Sequence, residues 1–267
     1  MRYIRPVVAL AAAALFSVAG AIVASPAYAA GENYVALGDS YASGTGAGSY
    51  SGGDCYRSAN AYPQRWANAN APASFTFAAC SGATTSDVRS QQLGALSAAT
   101  TLVSISIGGN DAGFADVMIT CTVGTDSACV NRVNQAREFA RAELPGRLDA
   151  LYAEIRAKAP NARVVVMGYP RVLTSGSCWW FSGTKRNAVN SAADELSGII
   201  AARAAAAGFT YVDVRDDFAG HEVCTSDEWI NGIVWSRLVE SYHPNAKGHG
   251  NAYYPAFASA VSQTAAA

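Results

Sequence analysis

Five short apolar runs alternate along this chain with longer segments of helical periodicity. The apolar runs span residues 34–37, 74–79, 102–107, 163–168 and 209–214. Runs of this length, bounded by glycine or polar residues, are typical of strands buried on both faces of a sheet. Strands that alternate with helices indicate a parallel sheet covered by helices on both faces. The pattern therefore predicts an α/β fold, a three-layer sandwich around a five-stranded parallel sheet.

The segments between these runs predict the helices. The predicted helices span residues 62–70, 84–92, 131–158, 184–207 and about 247–262. Thr85 or Ser86 is the expected cap of the second helix, and Pro145 is expected to kink or split the third. The segment from Cys121 to Cys129 is predicted to be a small loop closed by a disulfide. No break in composition marks a second domain, so residues 30–267 are expected to form a single domain.

The first 29 residues have the pattern of a secretory signal peptide. Arg2 and Arg5 precede an apolar run at residues 7–24, and Ala27-Tyr28-Ala29 fits the small-residue pattern at which such peptides are cleaved. Cleavage is expected after Ala29, which would make the protein secreted and extracellular. The alternative is a membrane anchor, because the apolar run approaches the length that spans a bilayer. N-terminal sequencing of the secreted protein separates the two.

Composition narrows the range of partners. Hydrophobic residues make up 51% of the chain, charged residues 15%, and the net charge is -1. The chain is therefore globular, and its charge gives no reason to expect nucleic acid or acidic lipid as a partner. Six cysteines in an exported chain without a C-x-x-C motif favour disulfides over a metal site. Six cysteines allow 15 pairings, of which nearest-neighbour pairing is the simplest.

Two partial motifs for cofactors and metals are incomplete. Residues 44–49 come close to a dinucleotide-binding fingerprint, but Ser49 stands where the last glycine belongs and no helical pattern follows directly. His221-Glu222 begins like the helix of a zinc protease but lacks its second histidine. The sequence therefore predicts neither a cofactor nor a metal ion.

Three of the predicted strands end in residues suited to acyl transfer. The first delivers Ser40, the second Gly82 and the third Asn110. His243 lies in the long loop before the last helix. Because the carboxyl ends of parallel strands meet at one edge of the sheet, these residues are expected to come together. A serine hydroxyl needs a general base, and His243 is suited to that role. The oxyanion that develops on the substrate needs hydrogen-bond donors. The Asn110 amide and the backbone N–H groups of Ser40 and Gly82 are suited to supply them.

The order of these residues resembles that of a known family. The blocks are Gly38-Asp39-Ser40-Tyr41, Gly82, Gly108-Gly109-Asn110-Asp111 and Ser241-Tyr242-His243-Pro244. They resemble the SGNH hydrolase (GDSL esterase/lipase) family, and within it the secreted actinobacterial lipases and phospholipases A. The resemblance implies a flavodoxin-like five-stranded sheet and ester hydrolysis without a metal ion.

The resemblance also assigns roles to residues. Ser40 is implied as the nucleophile, His243 as the base, and Ser40, Gly82 and Asn110 as the oxyanion donors. The implied disulfides are the nearest-neighbour pairs, Cys55–Cys80, Cys121–Cys129 and Cys178–Cys224.

One position departs from the general family pattern. The family has aspartate three residues before the histidine, and here that residue is Glu240. In the close secreted relatives, a backbone carbonyl two residues before the histidine orients it, which corresponds to Ser241. The resemblance therefore implies a Ser40–His243 dyad supported by the Ser241 carbonyl, with Glu240 as the alternative third member.

The expected function is secreted serine carboxylic ester hydrolysis of lipids, by a lipase, esterase or phospholipase A. One alternative is an O-deacetylase of polysaccharides, and another is a non-catalytic binding protein built on the same sheet. The expected partner is an acyl-ester substrate, with at most transient contact with a lipid surface, and the protein is expected to be a monomer. The cluster Trp179-Trp180-Phe181 fits an acyl pocket, an interfacial surface or core beside Cys178 equally well.

Overall fold

The structure of the protein is a computed structural model that describes Met1, Tyr3 and residues 31–264. The predicted signal peptide and its cleavage site after Ala29 lie outside the described residues, apart from Met1 and Tyr3. Within the described part of the chain, no helix combines the length and apolar character needed to cross a membrane.

The strands form one parallel sheet. They are β1 (Asn33–Gly38), β2 (Ser74–Phe77), β3 (Leu102–Ser106), β4 (Arg163–Met167) and β5 (Thr210–Val212). Hydrogen bonds order the strands β2-β1-β3-β4-β5, and every pairing is parallel. The predicted five-stranded parallel sheet is confirmed, and its strands fall on the predicted apolar runs.

Helices fill the connections between the strands. They are α1 (Ser40–Ser43), α2 (Tyr62–Asn70), α3 (Thr85–Asp87), α4 (Phe114–Val123), α5 (Asp126–Ala142), α6 (Leu144–Lys158), α7 (Gly183–Ala206), α8 (Ala246–Gly248) and α9 (Tyr254–Thr264). Short π- and 3₁₀-helical turns complete them at Val88–Gln92, Leu93–Ala95, Leu238–Glu240 and His249–Tyr253. The long predicted helix is split as expected, because Pro145 lies in the first turn of α6, where its missing N–H costs no hydrogen bond.

The sheet is buried on both faces. All residues of β3 are buried, and consecutive side chains of a strand point to opposite faces. On one face, Tyr34 packs against Trp66 of α2 and Phe257 of α9, with ring centroids 5.2 and 5.6 Å away. Helices α6 and α7 pack against each other and α5 packs on both. Packing on both faces thus fixes the positions of the strands, and the loops that follow the strands begin at their carboxyl ends.

The strand order reverses between β1 and β3. The chain passes from β1 to β2 on one side and returns to place β3 on the other side of β1. Loops that leave neighbouring strands in opposite directions open a crevice at their carboxyl ends, where α/β proteins bind ligands. Ser40 follows β1 and Asn110 follows β3, so both lie at this crevice.

The cap expected at Thr85 or Ser86 is corrected to Thr84. The Thr84 hydroxyl accepts a hydrogen bond from the Asp87 N–H, and the Asp87 carboxylate accepts one from the Thr84 N–H at 2.9 Å. This reciprocal pair is a capping box, which needs the acidic residue three positions after the cap. Only Thr84 has that spacing to Asp87.

The segment from Cys121 to Cys129 is not the predicted small loop. Cys121 lies in the last turns of α4 and Cys129 near the start of α5, and only Gly124 and Thr125 connect the two helices. The Thr125 hydroxyl caps α5 by accepting the Ala128 N–H at 3.2 Å. The disulfide therefore clips one helix to the next.

All three disulfides join nearest neighbours along the chain. Cys55 is bonded to Cys80, Cys121 to Cys129 and Cys178 to Cys224. These are the pairs that the family resemblance implies. A disulfide of this kind stabilises a fold by roughly 2–4 kcal/mol, mainly by restricting the unfolded chain.

Candidate active site

Ser40 is presented by a sharp turn at the end of β1. Gly38 has a φ of +121°, and a Cβ at this position would lie 2.4 Å from the carbonyl oxygen of Ser106. Only glycine fits there, so the chain can leave the sheet at once. Asp39 then caps α1 by accepting the Tyr41 N–H at 3.0 Å. Ser40 is thereby fixed as the first residue of α1, with 5% of its surface exposed.

Asp39 is a structural residue of this turn. Its carboxylate also accepts a hydrogen bond from the Tyr169 hydroxyl, which follows β4. Burial raises the pKa of Asp39 to about 7, and the hydrogen bonds from Tyr169 and Tyr41 oppose that rise. The carboxyl group therefore ties the β1 turn to the neighbouring strand end.

His243 lies within hydrogen-bond distance of Ser40. Its Nε2 is 2.8 Å from the Ser40 Oγ, and its Nδ1 is 2.9 Å from the Ser241 carbonyl oxygen. A carbonyl only accepts, so the proton sits on Nδ1, and Nε2 is left free to accept the Ser40 hydroxyl proton. The structure thus brings together the two residues that the sequence predicts as nucleophile and base.

Burial keeps the His243 imidazole neutral. It lowers the pKa of His243 to about 4, and the hydrogen bond to the Ser241 carbonyl opposes part of that shift. At neutral pH the ring is therefore unprotonated, which is the form that a general base needs.

The Glu240 carboxylate is directed to other partners. It accepts a hydrogen bond from the Tyr50 hydroxyl at 2.8 Å and pairs with Arg237 at 2.5 Å. The Nδ1 of His243 is taken by the Ser241 carbonyl. This geometry favours the Ser241 carbonyl over the Glu240 carboxylate as the group that orients the histidine.

Asn110 and Gly82 are brought together by two links between the β2 and β3 turns. The Asn110 side-chain amide donates to the Ala83 carbonyl at 3.0 Å. The Asp111 carboxylate accepts the N–H of Thr85 at 2.9 Å and its hydroxyl at 2.6 Å. An amide carries two N–H donors, so Asn110 retains one for a ligand. Gly82 has a φ of +81°, a conformation that favours glycine.

An apolar cavity opens beside Ser40. It encloses about 780 Å³, including the part open to solvent, and extends from Ser40 and Asn110 along α4, α5 and α7. Small and apolar side chains of these helices form its walls, among them Val117, Met118, Ala136, Ala140, Ala192 and Leu196. The Arg137–Glu195 ion pair, with 2.6 Å between Nε and Oε2, bridges α5 and α7 at this cavity. Such a cavity suits an alkyl chain.

Tyr41 and Asn231, to which the sequence analysis assigned no role, hold the histidine loop. Tyr41 donates its hydroxyl to the Tyr242 carbonyl at 2.8 Å. The Asn231 side chain donates to the Gly46 carbonyl at 3.0 Å, and its backbone N–H donates to the His243 carbonyl at 2.9 Å. Tyr242 itself has a φ of +63°, so its backbone is strained and needs such support. Asn231 lies in an irregular stretch, where no periodicity marks it.

The side chains of the aromatic cluster Trp179-Trp180-Phe181, whose role the sequence did not decide, lie in three different environments. Trp179 is 95% exposed, Phe181 is 1% exposed, and Trp180 between them is half-buried. The Trp180 ring lies near the ring of Tyr242, with 6.4 Å between centroids. The cluster is therefore core at one end and surface at the other.

Among the described residues, no group of three or more His, Cys, Asp and Glu side chains is arranged to hold a metal ion. His221 begins the incomplete zinc-protease motif of the sequence. Its ring stacks on the ring of Trp229, with 3.6 Å between ring centroids. Its Nδ1 lies 2.8 Å from the Asp227 carbonyl oxygen.

Comparison with known proteins gives close matches over nearly the whole chain. Residues 36–250 match the GDSL-like lipase/acylhydrolase family. Lipase 1 of Streptomyces coelicolor is 52% identical over 256 residues, which cover 95% of each chain. The crystal structure of phospholipase A1 from Streptomyces albidoflavus superimposes with a TM-score of 0.84 at 52% identity, covering 86% of this chain and 99% of that one. The crystal structure of an extracellular lipase from Streptomyces rimosus gives a TM-score of 0.82 at 48% identity, covering 85% and 98%.

Proposed function

This chain belongs to the GDSL-like lipase/acylhydrolase family, and on that basis we propose that Ser40 attacks the acyl esters of lipids with His243 as its base. The protein is an ester hydrolase of the lipase and esterase class. The observation that carries the proposal is the 2.8 Å between the Ser40 Oγ and the His243 Nε2 at the mouth of an apolar cavity.

The proposed reaction runs through an acyl-enzyme. His243 takes the Ser40 proton as Oγ attacks the ester carbonyl, and the resulting oxyanion accepts hydrogen bonds from the Asn110 amide and the N–H groups of Ser40 and Gly82. The imidazolium then gives its proton to the departing alcohol. Water, activated by the same imidazole, attacks the acyl-enzyme and releases the fatty acid. The Ser241 carbonyl holds the ring throughout and stabilises its charged form.

The cavity supports lipids as the substrate class. Apart from the Arg137–Glu195 pair, its walls on α4, α5 and α7 are apolar, which favours a fatty acyl chain and gives no advantage to an acetyl group. Of the three relatives described above, two carry the name lipase and one the name phospholipase A1. We therefore propose that the substrates are fatty acyl esters of glycerol lipids, phospholipids included, rather than acetylated polysaccharides.

Narrowing the cavity is expected to change the preferred chain length. Ala192 of α7 lines the cavity and is half-buried, so the Ala192→Phe side chain would fill space that a long acyl chain needs. We expect kcat/KM for a dodecanoyl ester to fall about tenfold or more, with at most about a threefold change for a butanoyl ester.

The matched control for this change is Ala202→Phe, on the exposed side of the same helix. It is expected to leave the ratio of the two kcat/KM values unchanged. An equal loss on both esters in the Ala192→Phe enzyme would mean that the cavity does not receive the acyl chain.

Labelling with an alkyl fluorophosphonate tests the proposed nucleophile. The purified mature protein is expected to gain one adduct, mapped to Ser40 by peptide mass analysis, and the His243→Ala variant is expected to gain none in the same time. Absence of the adduct from a folded sample with intact disulfides would reject the mechanism and favour a non-catalytic binding protein.

Export of the protein is part of this proposal. Three disulfides join all six cysteines, which fits a protein that matures outside the cytoplasm. The Streptomyces rimosus relative is described as extracellular. We propose that the chain is likewise secreted, with its mature form beginning at Ala30.

A further inference from the structure

Six large hydrophobic side chains stand exposed within residues 31–264, and they come from only three segments. Ile119 and Val123 of α4 are 61% and 81% exposed, and Trp179 is 95% exposed. The loop before the histidine adds Trp235, Leu238 and Val239, at 81%, 63% and 38%. We call these six side chains the apolar rim. Exposed apolar residues confined to one region mark an interaction site.

The three segments of the apolar rim meet around Tyr242. The Tyr242 hydroxyl lies 2.6 Å from the hydroxyl of Thr122, which sits between Ile119 and Val123 on α4. Trp180, the neighbour of Trp179, lies with its ring centroid 6.4 Å from that of Tyr242. The third segment leads directly into Tyr242, and the Val234 N–H donates to the Ser241 hydroxyl at 2.9 Å. The segments that carry the apolar rim therefore meet at the residue next to His243.

The apolar rim and the cavity share helix α4. Helix α4 lines the cavity with Val117 and Met118, which are buried, and presents Ile119 and Val123 to solvent. A lipid held against the outer side of α4 would therefore be separated by this one helix from the cavity that receives its acyl chain.

The charge of this region favours an uncharged surface as the partner. The segments 117–123, 178–182 and 233–240 contain only one cation and one anion, Arg237 and Glu240, and these pair with each other at 2.5 Å. The chain as a whole carries a net charge of -1. Docking on anionic lipid needs a cluster of basic residues, which these segments do not contain. Tryptophan side chains, in contrast, suit the boundary between headgroups and acyl chains of any lipid layer.

We propose that the apolar rim docks the enzyme on the surface of an electrically neutral lipid aggregate, with Tyr242 and His243 at its centre. The inference rests on the lipid substrate proposed above and adds a surface on which that substrate is met before any bond is cleaved. Trp179, Trp235 and Leu238 enter the headgroup layer, while the acyl ester of one lipid reaches Ser40 through the cavity mouth.

The test is binding to vesicles of an ether-linked phosphatidylcholine, which lacks the ester and so stays intact. The triple variant Trp179→Ser, Trp235→Ser, Leu238→Ser is compared with the unchanged mature protein by sedimentation of the vesicles. We expect its partition coefficient to fall about tenfold or more, because three apolar side chains no longer insert. Hydrolysis of a water-soluble butanoyl ester is expected to stay within about twofold, because none of the three residues lines the cavity.

A matched control is the triple variant Asn68→Ser, Gln91→Ser, Lys158→Ser. These residues are exposed and precede β2, β3 and β4, at the edge of the sheet opposite the site. The control is expected to bind vesicles like the unchanged protein. Brominated lipid supplies a second readout: it is expected to quench the tryptophan fluorescence of the unchanged protein, and to quench the apolar-rim variant much less.

Several outcomes would overturn the proposal. One is undiminished vesicle binding by the apolar-rim variant, and another is binding that requires anionic lipid and is lost in salt. A third is a dimer in solution that becomes a monomer in the apolar-rim variant, which would make the apolar rim a contact between two copies of the chain. Failure of the proposed function would give a different result. The unchanged protein would then not hydrolyse the soluble ester, whether or not it binds vesicles.

Discussion

Replacement of His243 with alanine is expected to lower kcat on a soluble ester by about 10⁴- to 10⁶-fold, with the fold retained. The Ser40 hydroxyl is a poor nucleophile by itself, and the imidazole 2.8 Å away is the group positioned to take its proton. The measurement is steady-state hydrolysis of a soluble ester, with circular dichroism and a free-thiol assay to verify the fold and the disulfides.

Glu240→Ala is the matched control for that result. Its carboxylate contacts Tyr50 and Arg237, whereas the His243 ring is held by the Ser241 carbonyl, so we expect kcat to fall by no more than about tenfold. A loss of about a thousandfold or more would assign the orienting role to the Glu240 carboxylate instead, because such losses follow the removal of a true orienting group.

Asn110→Ala is expected to lower kcat by about 10²- to 10³-fold while KM changes little, as is typical when one oxyanion donor is lost. The Ala83 carbonyl occupies one of the two N–H donors of the Asn110 amide, and the other is available to the negative charge that develops on the substrate. A donor that acts only on that charge stabilises the transition state and not the bound ester.

Separate measurements of kcat, KM and the melting temperature distinguish this role from a structural one. The Asn110–Ala83 hydrogen bond also ties the β3 turn to the β2 turn, so its loss is expected to lower the melting temperature slightly. A raised KM with an unchanged kcat would mean that Asn110 holds the turn and does not meet the oxyanion.

The sheet could be predicted from the sequence because its signals are local. The β3 segment is a run of buried residues that is followed by Gly108. Because this strand is buried on both faces, its sequence is a run of mostly apolar residues. The general rule that parallel strands place their carboxyl ends at one edge then brought Ser40 and His243 into one site. The hydrogen bond between them, across 203 positions of chain, agrees with that reasoning.

The parts that the sequence did not predict depend on contacts between distant segments. Asn231 holds the histidine loop by a hydrogen bond to the carbonyl of Gly46, 185 positions away. No sequence pattern around Asn231 predicts this contact. Helix α4 was missed because it has no side-chain cap and follows Gly113, which is in the left-handed conformation. The cavity beside Ser40 arises from alanines on α5 and α7, which look like ordinary helix formers until the two helices are packed together.

The disulfides lie around the candidate active site and not within the sheet. Each bridge has its cysteines in loops or helix ends around the site: Cys80 just before Gly82, Cys121 on the helix that borders the cavity, and Cys178 next to Trp179. None lies within a strand, so no covalent cross-link joins the five strands. Reduction of the three bridges is therefore expected to loosen the loops around the site before it affects the sheet.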